Sequence, residues 1–203
     1  MMVRRFHLAV ALSLVVFAVG ACSSEPVTAP TPQPPSSTAP PAPTPAPSPA
    51  PSPAPRIGSD SAFFTFVTQT QPFSGYAPFP NLSIGADGTL PASSAHQPLI
   101  RVTLNEAAAG ALQNGRLLPG TTFPDGSVIF KEVLSSPGVV SVDAVMYKDR
   151  THTNAGNGWL WAEYRPDGGV VFSMTNRGNA CTGCHSLAQG PQNDFVRIFE
   201  RQR

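Results

Sequence analysis

Thirty uncharged residues rule out one continuous fold: Pro26 to Pro55 reads PVTAPTPQPPSSTAPPAPTPAPSPAPSPAP and contains 14 prolines. Each proline locks φ and lacks the amide hydrogen that a helix or sheet ladder needs. With no large apolar side chain to bury, the stretch is predicted to be extended and polyproline-like, reaching about 90 Å at ~3.1 Å per residue. The chain therefore divides into a segment before this tract and a segment after it. As a functional element the tract is a spacer that holds a domain clear of a membrane or carries it through a cell-wall layer. As a bland one it is a disordered linker with no length requirement, and its composition fits both.

Ahead of it stands MMVRRFHLAVALSLVVFAVGACSS, with Arg4 and Arg5 before an apolar run from Leu8 to Gly20. That run is shorter than the roughly 20 apolar residues of a membrane-spanning helix, so residues 1–21 read as an export signal. Its end, VGAC, resembles the lipobox of bacterial lipoproteins. The resemblance implies cleavage before Cys22, lipidation of that cysteine, and, with Ser23 next in line, sorting to the outer membrane facing the periplasm. The alternative is an ordinary signal peptide beside an unrelated cysteine. Lipidation of Cys22 leaves Cys181 and Cys184 as the remaining pair among three cysteines, so no disulfide framework is available to the fold.

Residues 22–55 form the linker, and residues 56–203 have the composition of a globular domain. These 148 residues carry 11 basic and 11 acidic side chains. Zero net charge and the lack of a basic stripe argue against nucleic acid as a partner. LIRVTLN (99–105) alternates like a strand, and Asn105 is placed to cap a helix through EAAAGALQNG, with Gly115 as its stop. SVIFKEVL, VVSVDAVMYKD, GWLWAEY and VVFSM read as further strands, and the two Pro-Asp-Gly sequences read as turns. A polar helical turn is predicted around the cysteines, and NDFVRIFE closes the chain with strand-like alternation. The fold class is α+β, mostly antiparallel sheet with a few short helices.

Cys181, Cys184 and His185 stand in the spacing Cys-x-x-Cys-His, the attachment sequence of c-type haem. Two thiols one helical turn apart can each add to a porphyrin vinyl group, which holds the adjacent imidazole beneath the iron. Such haem is attached after export, and the signal segment meets that condition. Three other uses of the residues compete. A thioredoxin-like dithiol needs a βαβ unit, and none is visible nearby. A zinc site needs four ligands, whereas His96, His152 and His185 have no paired spacing. A disulfide leaves His185 without a task. For the iron's other face the domain offers Met146, Met174, His96 and His152, none distinguished by its surroundings in sequence, so an open position competes with a filled one. An open position means small-ligand chemistry, and a filled one means electron transfer alone.

FPDGSVIFKEV, VMYKD, GNGWLWAEYRPDG and ACTGCH, followed by NDFVRIF, resemble in order the blocks of the cytochrome P-460 family, which is related to cytochromes c′-beta. The resemblance covers about the last 105 residues. It implies a mostly antiparallel, dimerising domain with one covalently bound haem c, His185 as proximal iron ligand and an open distal face. It also implies a small nitrogenous substrate or diatomic gas, and a redox partner protein.

Hydroxylamine-oxidising members cross-link a lysine to the porphyrin edge, giving a P460-type haem, and the matching position is Lys131. Lys131 is unusual by pattern alone, because period-2 alternation puts it on one face with Ile129 and Val133. It either snorkels to water from a sheet edge or faces a cofactor. Where oxidising members are similar in carrying a distal carboxylate, this chain has Ala144, while Asp143 points to the opposite face. Arg101 matches a family arginine, or is a strand residue facing solvent. Trp159, Trp161, Phe130 and Tyr164 are candidate haem walls or simply core. The expected function is thus oxidation of hydroxylamine or reaction with nitric oxide, against a non-enzymatic electron carrier or gas binder.

Overall fold

A computed structural model describes residues 55–92 and 95–203. The signal-like segment, Cys22 and the proline-rich tract up to residue 54 lie outside the described residues.

The chain enters through helix α1 (Asp60–Thr65), which continues as a π-helical turn, Phe66–Thr70. The Ser59 hydroxyl accepts from the Ala62 amide and caps its start. Two short strands, β1 (Ala77–Pro78) and β2 (Leu90–Pro91), precede β3 (Leu99–Leu104). Helix α2 (Glu106–Gly110) leads to the long hairpin of β4 (Val128–Ser136) and β5 (Val139–Lys148). β6 (Trp159–Tyr164), β7 (Val170–Phe172) and helix α3 (Thr182–His185) come after it. The seven strands make one antiparallel sheet in the order β1-β3-β4-β5-β6-β7, with β2 also pairing β3.

Strand periodicity sends alternate residues to opposite faces, and here both faces are covered. On one face Ile100, Val102, Ile129, Met146 and Trp161 pack with the C-terminal Val196 and Phe199. On the other, Phe130, Val145, Tyr147, Leu160 and Tyr164 pack against Phe63, Phe66 and Val67 of the first helix. Asp60 ties that helix to the end of the sheet: its carboxylate accepts from Ser173 Oγ at 2.6 Å and the Met174 amide at 2.8 Å.

Two expectations are corrected. The helix begun at Asn105, whose side chain accepts from the Ala108 amide, ends at Gly110 and does not run to Gly115. Asn114 and Gly115, with φ of 51° and 79°, instead form the two central residues of a tight turn. Gln113 and Arg116 exchange both backbone hydrogen bonds across it. Asn-Gly is the pair such a turn favours, because both residues tolerate positive φ. The C-terminal NDFVRIFE is no strand: it forms 3-10 turns at Pro191–Asn193 and Arg197–Arg201. Asp194 and Phe195 take left-handed φ of 52° and 64°, which breaks an extended chain. Arg197 and Glu200, paired at 2.6 Å three residues apart, suit a 3-10 repeat.

Candidate functional site

A cavity of about 460 Å³ opens on the first face of the sheet. Apolar walls come from Ile100, Val102, Ile129 and Trp161, and Cys181, Cys184 and His185 border the same space.

His185 is the last residue of α3, one turn beyond Cys181. Its Nδ1 lies 2.6 Å from the Phe195 carbonyl, which can only accept, so Nδ1 carries the proton and Nε2 is left with a lone pair. Nε2 has no partner among the described residues. The ring packs edge-on against Trp161, centroids 4.7 Å apart, and Trp161 is itself held by its Nε1–H bond of 2.9 Å to the Gly156 carbonyl. Two glycines permit this packing. A Cβ on Gly178, at φ of 72°, would strike the Trp161 ring, and one on Gly190 would strike the His185 carbonyl. Burial, opposed by the hydrogen bond to Phe195, pushes the imidazole down to about 4, so it is neutral at physiological pH.

Both thiols are free; Cys181 is half-buried and Cys184 exposed. Burial, reinforced by the nearby Glu163 carboxylate, raises Cys181 to about 11. Among the described residues no group of three or more His, Cys, Asp or Glu side chains comes together as a metal site. No strand leads directly into α3 as a thioredoxin-like site requires; a 3-10 turn, Met174–Asn176, and a loop precede it. The residues fit a haem. An imidazole with one nitrogen pinned to a backbone carbonyl and the other free is the usual form of a metal-binding histidine. The two thiols and the apolar walls share its cavity.

The candidate distal ligands separate cleanly. Met174 is buried in the core on the other side of the sheet. His152 bonds the Ile57 carbonyl at 2.8 Å and the Asn154 amide at 3.0 Å, away from the cavity. Met146 does reach the wall, as the cross-strand partner of Trp161. His96 also lines the cavity, and both its nitrogens are engaged, Nδ1 with Lys131 Nζ at 3.2 Å and Nε2 with Glu163 Oε1 at 2.9 Å.

Lys131 shares the cavity wall with Ile129, as strand alternation predicts. Burial lowers its amine to about 8, with Glu163 opposing the shift. Ala144 lines the same wall, whereas Asp143 faces away. Arg101 is not brought to the site. It lies on the opposite face, bonded to Glu132 at 2.7 Å, in a row running Arg101, Glu132, Asp143, Tyr164. Of the four aromatic candidates only Trp161 borders the cavity. Trp159 is buried beside it, and Phe130 and Tyr164 belong to the second core.

Two features went unread in the sequence. Glu163 joins the cavity through His96, a contact 67 residues long that no local pattern carries. Lys148 and Asp194, 2% and 4% exposed, form a buried ion pair at 2.7 Å. The Asp194 backbone carbonyl accepts from Trp159 Nε1 at 2.9 Å. This anchor immediately precedes Phe195, whose carbonyl holds His185.

A family model described as Cytochrome P460 matches residues 89–197, more than half of the chain. No curated protein matches the chain.

Proposed function

The chain belongs to the cytochrome P460 family, which makes it a monohaem c-type cytochrome, and on that premise we propose that it oxidises hydroxylamine or reacts with nitric oxide at an open iron position. Cys181 and Cys184 would bind the porphyrin covalently and His185 Nε2 would ligate the iron. Lys131, whose amine is partly unprotonated near pH 8, would lie at the porphyrin edge. The haem would supply an electron-accepting centre and a coordination position for a small ligand. The protein's own part would be to orient the imidazole through Phe195, line the site with apolar walls, and leave cavity space for a small ligand. Electrons removed from the ligand would pass to a redox partner protein.

One observation carries this reading: His185 Nε2 is the only uncommitted imidazole nitrogen bordering the cavity among the described residues, because His96 is held at both ends. Export, lipid anchoring at Cys22, an outer-membrane location facing the periplasm and homodimerisation belong to the same proposal. They rest on the signal-like N-terminus and on the family's habit of pairing.

The second reading, a non-enzymatic electron carrier or gas binder, draws on Ala144, which offers no carboxylate where oxidising members have one. An optical spectrum tests the main reading. Reduced protein should bind carbon monoxide and nitric oxide, and a bonded lysine should shift the ferrous Soret band to the red in the native chain but not in Lys131→Met. A low-spin spectrum indifferent to both gases refutes the open site.

A further inference from the structure

Register places Val102, Lys131, Ala144, Glu163 and Phe172 in one row across five strands. Adjacent strands lie about 4.8 Å apart, so Lys131 and Glu163, separated by β5, have backbones roughly 10 Å from one another. Between them Ala144 contributes only a methyl group. His96, from the loop between β2 and β3, bridges the interval, with Lys131 Nζ at 3.2 Å on one side and Glu163 Oε1 at 2.9 Å on the other. A longer side chain at 144 would compete with the imidazole for that space.

The hydrogen-bond roles follow from chemistry. The ionised Glu163 carboxylate can only accept, so His96 Nε2–H donates to it, which leaves Nδ1 of the neutral imidazole to accept from Lys131 Nζ. Glu163 thus keeps its charge: the bond from His96 outweighs burial and holds its carboxyl below the ordinary range, with the Lys131 charge adding the smallest share. Its second oxygen has no partner among the described residues, and the side chain, 23% exposed, lines the cavity. A tie that served only to fasten the loop would have no reason to set an ionised, half-free carboxylate on the cavity wall.

We infer that Glu163, held by His96, is the proton acceptor of this cavity in place of a carboxylate at position 144, and that it serves a small ligand carrying an N–H or O–H bond. In the step it performs, that bond breaks, the proton passes to the free oxygen of Glu163, and the bonding pair stays on the ligand's nitrogen or oxygen. His96 is a positioning residue, because it acts through Glu163. The inference rests on the open-site reading and selects, within it, protic substrates such as hydroxylamine over aprotic diatomic gases.

Two probes of the haem-loaded protein separate the claims without measuring turnover. Hydrogen cyanide, although its acidic proton sits on carbon, must likewise lose that proton to an acceptor to bind the ferric form, whereas carbon monoxide binds the ferrous form and has none to lose. In Glu163→Gln, cyanide association should slow by about a hundredfold, the scale of a positioned proton acceptor, with carbon monoxide association unchanged. Glu163→Asp, which retains the acid, should recover part of the rate. An unchanged cyanide rate, or equal slowing of both ligands, overturns the inference while the open site stands. Failure of the native chain to bind carbon monoxide overturns both. Should Glu163→Gln not hold haem, a cyanide rate for the native chain that is identical in light and heavy water overturns the proton-transfer claim.

Discussion

Asp194→Asn tests how the fold holds its imidazole. The carboxylate of Asp194 takes a 2.7 Å bond from Lys148 Nζ and a 3.0 Å bond from the Phe123 amide, in a site closed to water. Asparagine keeps the shape and tolerates the left-handed φ of 52°, so the change isolates the charge. It strands an ammonium in the interior, a loss of about 3–5 kcal/mol. For a domain of this size that corresponds to a fall in Tm of about 6–12 °C for the first 3 kcal/mol. Lys148→Met strands the carboxylate instead, at a similar loss. The double variant buries no unpaired charge, so its loss should fall well short of the sum of the singles, with a coupling of about 2–3 kcal/mol. Denaturant unfolding followed by far-ultraviolet circular dichroism measures all three. Because Asp194 precedes the carbonyl that binds His185, the Asp194→Asn haem protein should also show a shifted reduction potential. A loss below about 1 kcal/mol for either single, or strict additivity in the double, refutes the reasoning.

Asp143 is 5% exposed, its Oδ1 lacks a partner, and burial together with the facing Glu132 raises its carboxyl from 3.8 to about 6. A raised acid is protonated more readily when folded than when unfolded, so native stability should fall as pH rises from about 4 to about 6 and level off above. Two units correspond to at most about 3 kcal/mol, and residual solvation leaves about 1–2 kcal/mol. Asp143→Asn should therefore be more stable than the native chain by that amount at pH 7 and equal to it below pH 4. Chemical denaturation at both pH values decides, and a constant difference would count against the assignment. At the N-terminus, Cys22→Ala should move the protein from the membrane to the aqueous fraction on cell fractionation; full retention in the membrane would place the anchor elsewhere.

Much of the core was legible because strand alternation is a local property. Ile129, Lys131 and Val133 share a face whatever lies around them, and the Pro-Asp-Gly pairs turn wherever they occur. The first helix was not read, although Phe63, Phe66 and Val67 recur at helical spacing. The C-terminal run misled for a related reason: Val196 and Ile198 are buried two apart, but so is Phe199, and the left-handed pair at 194 and 195 prevents a strand. Asn-Gly at 114 and 115 was read as the end of a helix when its strongest local preference is a tight turn.

By itself the sequence determined that Cys181, Cys184 and His185 stand together, because they lie within one helical turn and their geometry needs no distant partner. The break expected at the proline tract is local in the same way, since backbone amides are missing there whatever the rest of the chain does; up to residue 54 it lies outside the described residues. Only the tertiary structure decided that His96 and Glu163 join Lys131, that Arg101 leaves the site, and that Lys148 pairs with Asp194, the neighbour of the residue whose carbonyl meets His185. Those contacts depend on strand register and on loops packed from far along the chain. Register is chosen by burying both faces of the sheet at once, a sum over the whole domain that no short stretch contains.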